Sequence, residues 1–194
     1  MRRRTFDALV AGAGLILAAI LIIAGGLMAF GHSFVDGQVH NQLAAQKIYF
    51  PANNSPAIKA PDFAAMHQYA GQLMTTGAQA EVYADHFIAN HLTVLGGGLT
   101  YSQLSAKSLA QPKNTALAAQ VQLMFRGTTL RGLLLNGYAF WKMGQLALWG
   151  AFAAFAGAGL LLILSVGGYL HLRRVSPDTE VLPKVTSGRQ ATMA

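Results

Sequence analysis

The chain has 194 residues, of which 53% are hydrophobic and only 11% are charged, whereas ordinary soluble domains carry about 25% charged residues. Its formal net charge of +7 comes from basic residues spread along the chain, and nucleic-acid-binding proteins instead cluster such residues on one face. The absence of cysteine excludes disulfides, thiolate nucleophiles and zinc–thiolate sites.

Two long apolar segments, residues 8–30 and residues 146–170, contain no Asp, Glu, Lys or Arg. A helix of ~20 apolar residues is long enough to cross the ~30 Å hydrocarbon core of a bilayer. We therefore predict a mainly α-helical protein, in which two transmembrane helices form a hairpin. A small helical extracytoplasmic domain, residues 31–145, lies between them.

Basic residues near the ends of spanning helices favour the cytoplasmic side. The arginines that flank the two segments are Arg2, Arg3, Arg4, Arg173 and Arg174. We predict that residues 1–7 and 171–194 are cytoplasmic, that the tail is disordered, and that the chain lies in the plasma membrane. Three basic residues before the second segment oppose this topology, but charges in loops longer than ~60 residues weigh less. These residues are Arg126, Arg131 and Lys142.

The first apolar segment also permits an alternative interpretation as an export signal. Arg3 and Arg4 fit a twin-arginine pattern, and Ala29 and Gly31 fit a small-residue cleavage site. However, cleavable signals have apolar cores of about 7–15 residues, and residues 8–30 exceed that length. The sequence therefore favours an uncleaved anchor.

Small residues are frequent in both apolar segments. Gly150, Ala154 and Ala158 recur at intervals of four and predict a smooth face on the second helix. Small residues let helix backbones approach closely within lipid. This face can pack on the first helix or mediate self-association with another chain.

Between the apolar segments, residues 31–47 are predicted to continue the first helix, and residues 47–50 to be extended. Residues 51–61, with three prolines, are predicted to form a surface loop, and residues 63–73 a short helix.

Two capping boxes then predict helix starts, one at Thr76 with Gln79 and one at Thr100 with Gln103. The first helix is expected to end near Leu95, before three consecutive glycines, and the second before Pro112. A last helix is expected from residue 114 into the second apolar segment, and residues 126–127 allow a bend in it.

Five side chains are available for a metal site: His32, Asp36, His40, His86 and His91. His32 and His40 are eight residues apart, which places their Cα atoms ~12 Å apart on a helix, too far to share one ion comfortably. His86 and His91 diverge by ~140° around a regular helix. We therefore predict no catalytic, cofactor-binding or metal-ligating residues, and we interpret His91 as a core histidine with a satisfied ring nitrogen.

Two further features permit more than one interpretation. Arg126, Arg131, Asn136 and Lys142 form a polar set that is typical of a solvated face, but it can also bind anionic headgroups or carboxylates of a partner. Residues 96–98 are three glycines without the Gly-Lys-Ser/Thr of a phosphate loop, and they predict a helix stop.

The chain resembles a family of uncharacterised two-span membrane proteins of actinobacteria, whose members often bear the label of aromatic ring-opening dioxygenase. The matching segments are residues 1–7, 38–40, 42–48, 69–71, 84–88 and 125–136. The resemblance covers nearly the whole chain up to Arg174 and implies two membrane spans. It transfers no catalytic residue, because no His/carboxylate iron site is visible in this sequence.

Two functional hypotheses follow from these observations. The first is a structural or accessory protein whose outer domain docks on a membrane or envelope complex. The second is a metal-dependent enzyme at the outer face. This hypothesis is disfavoured because the five candidate ligands are not expected to converge on one ion. A transporter is disfavoured because neither apolar segment carries the charged residues that mark ion paths.

Overall fold

The computed structural model describes residues 3–174 and residue 176, so the tail predicted to be disordered lies almost wholly outside the described residues. The described part is mainly helical and contains no strand. The regular helices are α1 (Arg3–Ala45), α2 (Gly77–Val82), α3 (Ala89–Gly96), α4 (Tyr101–Leu109) and α5 (Thr115–Arg174). The chain divides into two compact units, one of residues up to Met28 with those from Trp149 onward, the other Ala29–Leu148.

Helices α1 and α5 are each long and apolar enough to cross a membrane. Their most apolar 18-residue windows have mean hydropathies of 2.6 and 2.1, and only 17% and 11% of these windows is buried. The core helix of a soluble protein would be mostly buried. Apolar side chains on both helices instead face outward, as with Ile23, which is 64% exposed, and Ile163, which is 71% exposed.

Within the first unit, α1 and α5 pack side by side through small residues. The buried small residues recur every seven positions on each helix: Ala11, Ala18 and Gly25 on α1, and Ala151, Ala158 and Ser165 on α5. A seven-residue repeat keeps one seam facing a partner helix, and small residues there bring the backbones close.

The predicted stripe at intervals of four is therefore replaced by a stripe at intervals of seven. Ala158 belongs to both stripes, whereas Gly150 and Ala154 lie at the edge of the seam and are partly buried. A Cβ atom added to Gly150 would lie 2.9 Å from Sδ of Met28. Within the described residues, this face packs on the first apolar segment of the same chain, and self-association with another chain stays a prediction.

The second unit contains two apolar clusters. The larger one brings the end of α1 and the middle of α5 together with the segments between residues 48 and 88, and its fully buried side chains are Ile58, Met66, Met74 and Leu134. The smaller one joins α4 to the start of α5 through Leu104, Leu117, Val121 and Met124.

The connection between α1 and α2 corrects two local predictions. The expected helix over residues 63–73 is a 3₁₀-helix, Pro61–Tyr69, and another 3₁₀ turn covers Pro56–Ile58 within the predicted loop. The expected extended segment is present only from residue 48, because Lys47 has a left-handed φ of 53°. Its partner is the segment around Leu73, held by N–H···O bonds of 2.9 Å from Phe50 to Gln72 and from Met74 to Ile48.

Both predicted capping boxes are confirmed at the starts of α2 and α4. Gln79 N–H donates to Thr76 Oγ1 at 3.3 Å, and Thr76 N–H donates to Gln79 Oε1 at 3.1 Å. The predicted helix stop is also confirmed, because α3 ends at Gly96 and the next residue, Gly97, has a left-handed φ of 58°.

A π-helical segment, Tyr83–Ile88, lies between α2 and α3 and was not predicted. Near residues 126–127, where the sequence allows a bend, α5 continues as an uninterrupted helix. Gly127 instead leaves space for a neighbouring side chain, since an added Cβ would lie 2.5 Å from Cδ2 of Leu92 on α3. The glycine therefore permits close packing between the two helices.

Candidate interaction surface

Four of the five histidines of the second unit lie within hydrogen-bond distance of separate backbone or amide oxygens: His32, His67, His86 and His91. Nδ1 of His32 lies 3.1 Å from the Gly144 carbonyl, and Nδ1 of His86 lies 3.3 Å from that of Asp62. Asp36 and His40 are exposed on α1. Among residues 3–174, no three His, Asp or Glu side chains approach closely enough to hold a metal ion.

The prediction for His91 is partly wrong. Its ring nitrogen is satisfied, because Nδ1 lies 2.7 Å from the carbonyl oxygen of Phe87, but the residue is exposed and not part of the core. The His91 ring is tilted by 43° to the Phe87 ring, with the two ring centroids 4.3 Å apart. The buried line of this helical segment consists instead of Ala80, Ala84 and Ile88, at intervals of four.

The polar set on α5 is divided between solvent and the domain itself. Nη2 of Arg131 lies 2.6 Å from Oδ1 of Asp85, and its Nε donates to the Ala84 carbonyl at 3.3 Å. Arg131 therefore connects the π-helical segment to α5, although 39% of its side chain stays exposed. Arg126 and Lys142 are exposed.

Tyr138, about two turns further along α5 than Arg131, faces the same acidic segment. Desolvation raises the pKa of the Tyr138 phenol above its ordinary value of 10.0, and the carboxylates of Glu81 and Asp85 raise it further. A raised pKa means that the folded protein holds the phenolic proton more strongly than the unfolded chain does.

This shift predicts a loss of stability in alkaline solution. The unfolded chain releases the Tyr138 proton near pH 10, whereas the folded chain keeps it, so stability is intact below pH 10 and falls as pH rises through the raised pKa. We expect Tyr138→Phe to lessen the fall in melting temperature between pH 9 and pH 11. Tyr49→Phe is the control, because Tyr49 is 60% exposed. An equal alkaline loss in all three proteins would contradict the assignment.

A groove lies between α1 and α5 in the second unit. It has a volume of about 420 Å³. Three large apolar side chains on its walls are exposed to solvent: Phe34 by 59%, Leu133 by 61% and Phe140 by 60%. Val39 and Leu43, both buried, form part of its floor. We call this surface the amide groove, after the polar residues that line it.

Those polar residues all carry side-chain amides: Gln38, Gln42, Gln46 and Asn136. The three glutamines follow one another at intervals of four on α1, so they form a row along one face of the helix. No residue with an ionisable side chain lines the groove. Sequence reasoning missed the site because Asn136 and Phe140 come from a distant helix, although the spacing of the glutamines is a signal that the sequence does carry.

Comparison with known proteins found no significant match to a family model, a curated protein or a solved structure. The interpretation of the amide groove therefore rests on its chemistry.

An amide side chain both donates and accepts hydrogen bonds, so a row of amides can bind polar groups of either kind. Apolar walls add favourable burial when a partner covers them. The spacing of the row matches the repeat of a helix, and helix-in-groove recognition uses side chains at such intervals. The amide groove is suited to an uncharged, amphipathic helix.

Proposed function

We propose that this chain is an accessory protein of the cytoplasmic membrane that presents a helical domain to a protein partner. In this proposal α1 and α5 cross the bilayer as a hairpin, both termini are cytoplasmic, and residues 31–145 lie outside. The observation that carries it is the outward-facing apolar surface of both long helices. In the second unit, Phe34, Leu133 and Phe140 of the amide groove are also exposed.

The membrane part of the proposal follows from the cost of leaving such surface in water. Burying apolar area is worth about 25 cal/mol per Å², and monomeric soluble proteins rarely expose contiguous apolar patches larger than a few hundred Å². The arginines beside both helix ends, Arg3, Arg4, Arg173 and Arg174, support a cytoplasmic location for those ends.

The interaction part follows from the second unit. The amide groove offers apolar walls and a polar row without ionisable groups, and nothing within the described residues fills it. We infer that a helix of a membrane or envelope protein binds there. A second copy of this chain is the other occupant that the test distinguishes.

Because the sequence contains no cysteine, a single introduced cysteine is the only thiol that a maleimide can label. We would compare Thr5→Cys at the start of α1, Gln42→Cys in the amide groove and His40→Cys on the same helix, using a membrane-impermeant maleimide. His40 and Gln42 are both exposed but differ by ~200° around α1, so His40 serves as the matched control.

We expect the outside reagent to label both outer cysteines in intact cells and to label Thr5→Cys only after permeabilisation. Gln42→Cys should react about tenfold more slowly in native membranes than in purified protein, since a bound helix shields it, whereas His40→Cys should react equally in both. Disulfide dimers of Gln42→Cys would identify a second copy as the occupant. Equal rates at Gln42 in both settings would overturn the docking proposal, and labelling of Thr5→Cys from outside would overturn the topology.

A further inference from the structure

A second groove lies within the first unit, between the beginning of α1 and the end of α5. It has a volume of about 620 Å³. Most of its wall is apolar and exposed, including Val10 at 56%, Ile163 at 71% and Leu164 at 61%. Three residues with polar side chains also line it: Asp7, Ser165 and His171. An apolar groove that contains a few polar groups is suited to an amphiphile.

Asp7 is the unusual member of this groove. Its Oδ2 atom is buried, and no hydrogen-bond partner for it is present among the described residues. Buried polar atoms are almost always hydrogen-bonded, and a carboxylate oxygen only accepts. The missing partner is therefore a group that carries an N–H or O–H donor.

Ser165, one of these three polar residues, takes part in the packing of the two helices. Its side chain is only 4% exposed, and its hydroxyl occupies the space that a Cβ on Gly14 would take. The hydroxyl therefore has a place only because residue 14 is glycine. This arrangement puts a polar group into a seam that is otherwise formed by alanine and glycine.

The same ends of both helices carry a group of guanidinium cations. Arg3, Arg4, Arg173 and Arg174 are exposed, and Arg173 lies 5.2 Å above the ring of Tyr169. Guanidinium groups bind phosphate oxygens well. A ligand that is cationic where it meets Asp7 and anionic where it meets the arginines satisfies both sets of charges.

We propose that this groove binds a phospholipid whose headgroup carries a primary amine, such as phosphatidylethanolamine. The ammonium group donates to Asp7, the phosphate lies near the arginines, and an acyl chain covers the apolar wall. The inference rests on the proposed membrane location. Choline headgroups carry the same charges but have no N–H to donate. A comparison of ethanolamine and choline lipids therefore distinguishes a hydrogen bond from charge attraction alone.

The test uses the purified full chain in mild detergent and native mass spectrometry. The probes are phosphatidylethanolamine, its N-methyl and N,N-dimethyl forms, phosphatidylcholine and phosphatidylglycerol, all with identical acyl chains. We expect the protein to retain the ethanolamine lipid about tenfold better than the choline lipid, because hydrogen bonds to a charged group are among the stronger ones. Retention should fall stepwise as methyl groups replace the N–H donors.

Asp7→Asn should remove most of this preference, and Asp36→Asn should leave it unchanged. Asp36 is the matched control, since it lies on the same helix, is exposed and does not line the groove. The methylation series on the unmodified protein keeps the proposal testable if Asp7→Asn fails to fold.

Equal retention of the ethanolamine and choline lipids would overturn the inference, as would stronger retention of phosphatidylglycerol. Either result leaves the proposed membrane location intact if the protein still requires detergent for solubility. A protein that stays soluble and monomeric without detergent would instead overturn the proposed function.

Discussion

Leu134→Ala is expected to lower the stability of the second unit by about 2–5 kcal/mol, because truncating a buried leucine removes apolar contacts and leaves a cavity. Leu134 is 1% exposed and belongs to the larger apolar cluster. The measurement is thermal unfolding in mild detergent, followed by near-ultraviolet circular dichroism. A loss of this size should lower the melting temperature by roughly 10 °C or more.

Leu133→Ala is the matched control, since it is the neighbouring residue on the same helix but is 61% exposed. Its effect should stay within about 0.5 kcal/mol, as for most surface substitutions. Leu133 also lines the amide groove, so this variant should weaken partner binding while the domain stays folded. Equal destabilisation by both variants would contradict the placement of the core.

Gly77→Ala is expected to cost about 1–3 kcal/mol, the usual cost of overpacking. A Cβ at position 77 would overlap Cβ of Trp141 and would lie 2.6 Å from its Cγ. Those atoms are close to the backbone of α5, so a rotamer change of Trp141 cannot move them all away. The helix start and α5 must separate to admit even one methyl group.

Gly132→Ala tests whether the effect comes from the contact. No atom lies within 4 Å of a Cβ built at Gly132, which is in the interior of α5. Replacing a helical glycine by alanine without a clash should stabilise the protein by about 0.5–1 kcal/mol. Opposite shifts in the melting temperatures of the two variants are expected, and a parallel fall would contradict the argument.

The parts of the fold that depend on neighbouring residues in the chain were predictable from the sequence. The capping boxes at Thr76 and Thr100 use side chains three residues away, and the helix stop at Gly97 uses the conformational freedom of glycine. The continuation of α1 past residue 30 followed from apolar residues at helical spacing. Each of these features is decided within one or two turns of helix.

The parts that depend on distant residues were not predictable. Gly77 and Trp141 lie 64 positions apart, and no local pattern connects them. The helix does not continue after Tyr69, because the following segment forms backbone hydrogen bonds with residues 48–50. The spacing of apolar residues does not predict these bonds. The amide groove shows both cases, since its row of glutamines is visible in α1 but its opposite wall comes from α5.

The π-helical segment Tyr83–Ile88 affects which changes in chain length this protein can tolerate. A π turn holds one residue more than the α-helical turn it replaces, so it works as an insertion that the helix has absorbed. Deleting one residue there should therefore restore a regular helix and leave the residues after it in their present orientation, with Leu92 still against Gly127. Homologous sequences can therefore keep this packing with one residue fewer between Thr76 and Leu92, provided that the residue is lost from the π-helical segment itself.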